Sequence, residues 1–430
     1  HRFQLPAEGY LISQTISVNG VERLVDDRTL RTQWDYTALK QEQDLTFEKQ
    51  NTHVGYIENG EFDYHTIGRS SDRKWEGSVE WIGIRQRFFL GALIAPTKFS
   101  KGEIAWTDTS TTNVAQATAG MLLPLNNQGV AELQYYYGPS DFHTLKKYDL
   151  GLENIVNLGQ GVYAFVRPLN RYVILPIYEF FRGLSGANLG LAILLLTLFI
   201  RLLISPLTYT SYLSGAKMKA LRPEIAKLKE KFGDDRQGMS MEQMKLFREA
   251  GVNPLGGCIP ALLQIPIFFA LFSFFNSEVT LRGASFLWAH DLSTYDAPIN
   301  FGFSIPLLGS HLSLFNVLAA ATSFLISWYS MSMTPDQDNP MLKYMPYIFP
   351  VFLLFFFNQL PAGLTWYYTV SNLMTLGLQF IIQRYIIDHD KILAQIELNR
   401  KKPKTKSKWQ ERLEQAQDQQ KRLSERKSGK

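Results

Sequence analysis

A single arginine interrupts the most apolar stretch of this 430-residue chain. From Ala187 to Pro206 the sequence reads ANLGLAILLLTLFI, then Arg201, then LLISP, with no other charge. A helix over Ala187–Thr208 rises about 33 Å, enough to cross the ~30 Å hydrocarbon core of a bilayer, so the charge falls within it. Placing an arginine there costs ~2.5–3.5 kcal/mol on insertion scales, and either snorkelling or a polar cavity reduces that cost. Thr197, Arg201, Ser205 and Thr208 follow at intervals of four, four and three, which stacks the polar side chains on one helical face. A snorkelling arginine needs no such stripe, so the spacing favours a water-accessible groove.

The mean hydropathy of the chain is close to neutral because two unlike halves are averaged. Residues 1–160 alternate polar and apolar side chains in runs such as LISQTISV, VEWIGIRQRFFLGALI and VAELQYYY, separated by NG, DD, NNQG and GPSD turns. This pattern predicts an all-β, sandwich-like head. Its aromatic residues, among them Trp81, Phe88 and Tyr135, sit where packing residues belong. A GxGxxA run at Gly159, Gly161 and Ala164 follows no strand and carries no dinucleotide reading. The chain starts at His1 without a signal-like stretch, so the head is expected to be N-terminally incomplete and its targeting segment missing.

Residues 161–186 read as an amphipathic helix on the membrane surface, with Phe165, Leu169, Val173, Ile177 and Phe180 on one side and Pro176 interrupting the run. Residues 187–390 follow as a five-helix transmembrane core, whose further apolar runs are Pro254–Asn276, His311–Met333, Tyr344–Asn358 and Leu364–Ile387. Within it, residues 209–252 are charged and predict a helical hairpin. Met218, Leu221, Ile225, Leu228 and Phe232 form a seam, Gly233 breaks the helix, and Ser240 with Gln243 is expected to cap the next one. Lys227, Lys229, Lys231, Asp234 and Asp235 at the turn fit either a solvated surface or a docking surface for a ribosome, translocon or targeting factor. Residues 391–430 read as a basic cytoplasmic tail, with the charged, apolar-poor stretch beyond Arg400 expected to be disordered.

Gln264 lies mid-run between Pro260 and Pro266, which a lipid-facing helix tolerates poorly, so it is expected to face the same interior as Arg201. Thr365, Tyr368, Asn372, Thr375 and Gln379 recur at three, four, three and four on the last run. This second polar stripe suits a cavity shared with Arg201, although interhelical hydrogen bonding explains such a stripe equally well when taken alone. The IFPVFLLFFF run is apolar all round and predicts a lipid-facing helix. The loop Ser277–Ser310 has one basic residue, Arg282, whereas the hairpin and the tail are rich in Lys and Arg. Both basic segments are therefore expected in the cytoplasm and the head outside, with the groove opening inward.

No P-loop, nucleophile elbow, zinc-ligand spacing or carboxylate pair within a span is present, so neither an enzyme nor a metal or cofactor is expected. The sole cysteine, Cys258, gives no disulfide framework. A secondary transporter for an anionic solute is one reading, opposed by the lack of an inverted repeat, and a structural scaffold whose head and hairpin recruit assembly machinery is another.

Four segments in order carry a resemblance: the span with one arginine, GAKMKALRPEIAKLKEKFGDD, the NPLGGCIPALLQIPIFFALF run at Asn253–Phe272, and LPAGLTWYYTVSN at Leu360–Asn372. They resemble the bacterial YidC membrane-insertase family, and WIGIRQRFFLGALIAP at Trp81–Pro96 and YYGPSD at Tyr136–Asp141 resemble the periplasmic domain of its Gram-negative members. The resemblance implies an inner-membrane insertase, without cofactor, whose groove arginine is Arg201 and whose groove lining includes Thr197, Gln264 and Tyr368. Ser205 and Asn372 extend the same stripes. Implied partners are nascent membrane proteins, the Sec translocon, a ribosome or targeting factor, and the lipid bilayer. The tail is longer than the family pattern and carries Trp409, which leaves any contact through it open.

Overall fold

The computed structural model describes residues 1–21, 26–68, 70–107, 112–233, 235–253, 259–331 and 340–401. Cys258, Asp234 and the tail from residue 402 lie outside them. The chain divides into two compact units, one of His1–Ile204, Ala261–Trp328 and Tyr344–Leu376, the other of Ser205–Pro260, Tyr329–Lys343 and Gly377–Lys430.

In the first unit the alternating segments form two antiparallel sheets. The strands are β1 (Arg2–Gln4), β2 (Leu11–Ser17), β3 (Thr29–Leu39), β4 (Thr52–Glu58), β5 (Glu61–Thr66), β6 (Ser71–Trp75), β7 (Val79–Gln86), β8 (Phe89–Phe99), β9 (Lys101–Thr107), β10 (Asn113–Pro124) and β11 (Val130–Pro139). A seven-stranded sheet runs β1-β2-β11-β8-β7-β4-β5 and a four-stranded one β3-β10-β9-β6. Val54, Ile82, Ile84 and Leu93 from the larger sheet and Trp34, Ile104, Ala117 and Met121 from the smaller share one apolar core. The expected sandwich is present. Trp81 and Phe88 are fully buried, as packing residues should be. Truncating a tryptophan so buried costs roughly 3–5 kcal/mol.

Two short helices, α1 (Leu45–Gln50) and α2 (Phe142–Lys146), flank the sheets, capped by Asp44 and Asp141. The segment expected to be one surface helix changes pitch three times: a 3-10 turn at Gly161–Val166, α at Arg167–Leu169, π at Asn170–Ile174, then α3 (Leu175–Ser185). Its buried residues are Val166, Asn170, Ile174, Leu175 and Tyr178, while Val162, Phe165, Tyr172 and Phe180 point outward. Of the expected apolar side, Phe165 and Phe180 are thus exposed, and Leu169, Val173 and Ile177 only partly covered. The π turn corrects the register, because Asn170 Nδ2 must reach the carbonyls of Leu158 and Ala270 at 2.9 and 2.8 Å.

Helix α4 (Leu189–Ala220) outruns the predicted span by twelve residues at its C-terminal end, counted from Thr208 to Ala220. After it come α5 (Arg222–Phe232), α6 (Arg236–Ala250), α7 (Ile259–Ser277), α8 (Leu314–Met331), α9 (Pro340–Phe356), α10 (Ala362–Ile381) and α11 (His389–Lys401). Gly190 allows the start of α4 to meet Phe286, since a Cβ there would overlap the ring. Among the described helices α4 and α8 are long and apolar enough to cross a membrane; the apolar stretches Leu262–Ser277 and Tyr344–Gln359 are shorter. Prolines interrupt α7 and α9, and polar rows lower the hydropathy of α10. The loop expected between spans holds a hairpin of β12 (Ile299–Ile305) and β13 (Gly309–Leu312).

Three arginines join the sandwich to the ends of the helices within this unit. Arg87 sits in the two-residue turn between β7 and β8 at φ +44°, a left-handed position that favours glycine. Its side chain accounts for the exception. Nη1 meets Glu42 Oε2 at 2.9 Å, Nη2 donates to Ser293 O at 2.5 Å and Nε to Asn276 O at 3.3 Å. The Phe47 and Phe88 rings lie 5.0 and 4.4 Å from the guanidinium carbon. Arg85 donates to Ser140 Oγ at 3.2 Å and Ser277 Oγ at 3.1 Å, and Nη1 is buried without a partner among the described residues. Burial, and then the neighbouring Arg87, push the Arg85 pKa down to about 9. Arg282, the loop's one basic residue, donates to Gln41 O and stands 3.5 Å from Glu42 Oε1.

The second unit contains the hairpin. The predicted seam is broken at Leu221, where Pro223 restarts the chain as α5. Asp235 caps α6 by accepting from Gly238 N at 2.9 Å, so the helix begins ahead of Ser240, which lies in its interior. Leu221, Ile225, Phe247 and Ala250 pack with Ile382, Ile387, Ile392 and Ile396. The start of the basic tail, ahead of the stretch expected to be disordered, forms most of α11, held by Ile392 and Ile396 and by Arg400, whose Nη2 reaches both Glu224 oxygens at 2.8 and 2.7 Å.

Candidate functional site

In the first unit, α4 carries Arg201, α10 carries Tyr367, Tyr368 and Ser371, and α7 carries Gln264. Arg201 is partly exposed, and its Nε donates to Ser371 Oγ at 2.6 Å while Nη2 approaches the same hydroxyl. No acidic side chain among the described residues pairs with it. One neutral hydroxyl thus faces a group with five N–H donors. Tyr367 and Tyr368 lie close enough to feel the guanidinium charge, and Gln264 is near the Tyr368 hydroxyl. Yet Tyr367 Oη, Tyr368 Oη and Gln264 Nε2 are buried without an aligned partner among the described residues. The cluster is rich in hydrogen-bonding capacity that the chain leaves unused.

Helix α10 is polar on two sides, which explains the length of its polar stripe. One row turns to α8: Thr369 Oγ1 donates to Phe315 O at 3.3 Å, and Asn372 Nδ2 to Ala319 O, Thr322 Oγ1 and Ser323 Oγ at 3.1, 3.1 and 2.8 Å. The other, Tyr367, Tyr368 and Ser371, turns to Arg201. Asn372 is therefore interhelical glue rather than a neighbour of the arginine. Thr197 is fully buried and spends its hydroxyl proton within α4, on Ile193 O at 2.7 Å. Ser205 falls in the second unit. The spacing thus brings together Arg201, Tyr368 and Gln264. It missed Ser371, although Tyr367, Ser371 and Thr375 form their own row at intervals of four.

On the hairpin, Lys227, Lys229 and Lys231 are exposed, and the Asp235 carboxylate serves its own helix as a cap. Helix α9 turns Ile348, Phe349, Val351 and Phe352 outward, as a lipid-facing helix does. Among the described residues no group of His, Cys, Asp and Glu is placed to hold a metal.

Two family models match the chain. The "60Kd inner membrane protein" model covers residues 180–390 and the "YidC periplasmic domain" model residues 1–172. Membrane protein insertase YidC of Amoebophilus asiaticus is 38% identical over 409 residues, 93% of this chain and 67% of the relative. The proteins of that name from Parabacteroides distasonis and Porphyromonas gingivalis W83 are 35% and 36% identical, covering 96% and 97% of this chain and 68% and 70% of theirs. A crystal structure described as an active YidC insertase with its first transmembrane domain resolved is 23% identical, with a TM-score of 0.40 over 87% of this chain and 80% of that one.

Proposed function

The chain belongs to the YidC family of membrane protein insertases, inner-membrane proteins with a periplasmic domain, and we propose that Arg201 is the cation over which a client's polar segment passes. The observation that carries this reading is the under-satisfied guanidinium. It lies in an apolar helix, is held by one serine, and is surrounded by phenol and amide groups without partners. A carboxylate on an extruded client tail supplies the charge and acceptors this cluster lacks. Burial of the client's apolar segment in lipid, at ~25 cal/mol per Å2, then drives the step without ATP.

In this proposal α4, α7, α8, α9 and α10 all span. The short apolar stretches of α7 and α9 match a locally thinned bilayer, which reduces the distance a polar tail must travel. The basic hairpin and tail lie in the cytoplasm by the excess of Lys and Arg, and the sandwich lies outside. Lys227, Lys229 and Lys231 form the surface for a ribosome or targeting factor, and clients arrive directly or from the Sec translocon.

Reconstituted full-length chain carrying Arg201→Ala should insert clients with acidic tails about tenfold more slowly, the effect of ~1.4 kcal/mol. Arg201→Lys should largely retain the rate, because it keeps the charge. Wild-type rates in both variants would remove the electrostatic role.

A further inference from the structure

The second unit holds a cavity of about 320 Å3 that contains none of Arg201, Gln264, Tyr367, Tyr368 and Ser371, and it is where Gln379 of the second polar stripe lies. Lys219 and Arg384 line it, together with the hydroxyls of Ser211 and Ser330 and the amides of Gln379 and Gln383, and no acidic side chain among the described residues does. Such a lining selects an anion. Gln379 adds a second requirement. It is 2% exposed, its Nε2 donates to Ser330 Oγ at 3.3 Å, and its Oε1 has no partner among the described residues. The buried Gln383 Oε1 has none either. The ligand must therefore bring hydrogen-bond donors as well as negative charge.

The surroundings indicate where that ligand comes from. Phe380, itself on the cavity wall, and Ile381, Tyr385 and Ile386 beside it are 53%, 48%, 76% and 52% exposed. The π turn at Ile382–Ile386 presents these apolar side chains in the same short segment as Gln383 and Arg384. A cationic pocket bordered by an uncovered apolar strip matches a headgroup with its acyl chains attached, whereas an acidic peptide has no use for the strip.

We propose that this cavity binds the headgroup of an anionic phospholipid of the phosphatidylglycerol type. Lys219 and Arg384 hold the phosphodiester, the glycerol hydroxyls donate to Gln379 and Gln383, and the acyl chains run along Phe380 and Ile381. The site is independent of the role assigned to Arg201.

The test places the full chain in nanodiscs that contain a photoactivatable phosphatidylglycerol or the matching phosphatidylcholine. Labelled peptides are then mapped by mass spectrometry. Two cations near the headgroup predict at least about tenfold more label from phosphatidylglycerol on peptides spanning residues 211–219 and 377–387. The double variant Lys219→Ala/Arg384→Ala should drop to the phosphatidylcholine level, and Lys219→Arg/Arg384→Lys should retain the label, which separates loss of charge from loss of fold. Equal labelling by the two lipids overturns the proposal, as does loss of label in the charge-retaining variant. Displacement of the lipid by an equimolar acidic client peptide also overturns it and assigns the cavity to clients.

Discussion

Arg201 and Arg87 are both set among apolar neighbours, and they differ in what their guanidinium groups meet. Arg87 is almost completely buried, and a carboxylate, two carbonyls and two aromatic faces surround it. Arg201 is partly exposed and has a single serine. A cation each of whose three nitrogens finds an acceptor in its own chain is a structural part. A cation left with spare donors, in a place where desolvation makes each of them valuable, is equipped to receive something else. The composition of the partner set, rather than burial alone, separates the two roles.

The largest expected effect tests the structural side. Arg87→Ala leaves the largely covered Glu42 with only its 3.5 Å contact to Arg282 and deprives two carbonyls of this donor, so the folded chain should lose about 3–5 kcal/mol. Arg87→Lys should recover little, because one ammonium cannot reach three acceptors in fork geometry. Thermal unfolding of the full chain in detergent reads both variants. Arg201→Ala in the same assay should shift stability by less than about 1 kcal/mol, the scale of a single interhelical hydrogen bond in a membrane protein. If the two alanine variants destabilise equally, the contrast between the arginines is lost.

Periodicity alone made one of these roles readable. The apolar helix around Arg201, the helix break at Gly233 and the outward face of α9 are local patterns, and the structure keeps them, although Thr197 and Ser205 of the Arg201 stripe do not join it. Arg87 was invisible, since its partners Asn276 and Ser293 stand 189 and 206 residues away and no spacing rule spans that distance. Ser371 was hidden for a different reason. Two polar rows lie side by side on α10, and reading them as one stripe merged the contacts to α8 with those to Arg201. The apolar side drawn through Phe165, Leu169, Val173, Ile177 and Phe180 fails because a π turn shifts the buried face to Asn170 and Ile174, and a count made at a fixed 100° per residue cannot anticipate it. Cap placement failed at Ser240 because Asp235, five residues earlier, accepts from Gly238 N and starts the helix first.

A second effect, smaller per pH unit, comes from His53 on β4. Burial, and then the Arg85 charge beside it, lower its pKa from 6.5 to about 3. The imidazole is thus neutral when folded and ready to protonate when unfolded. Between pH 6.5 and 3 the unfolded chain binds more protons, so stability is complete above pH 6.5 and falls with acidification at up to about 1.4 kcal/mol per pH unit. His53→Phe should flatten that slope in unfolding midpoints measured from pH 7 to pH 4.5. An unchanged slope would mean that burial and the Arg85 charge do not hold His53 neutral.

Arg85 should give the smallest effect and the sharpest test of the partner-set rule. It is as buried as Arg87 and two residues away, yet it meets only two hydroxyls, has no carboxylate, and keeps one nitrogen unpaired. Its desolvation is therefore poorly offset. Replacement by Met removes a buried charge of similar volume and leaves little behind. Ser277 Oγ still donates to Asn157 O at 2.9 Å, and Ser140 loses only a donor to its hydroxyl. Arg85→Met should accordingly lie within about 1 kcal/mol of the parent in the unfolding assay, in either direction. The same change should raise the His53 pKa by removing its charged neighbour, and so narrow the acid window from below. A loss as large as that of Arg87→Ala would show that burial decides what an arginine does here, and that the count of its partners does not.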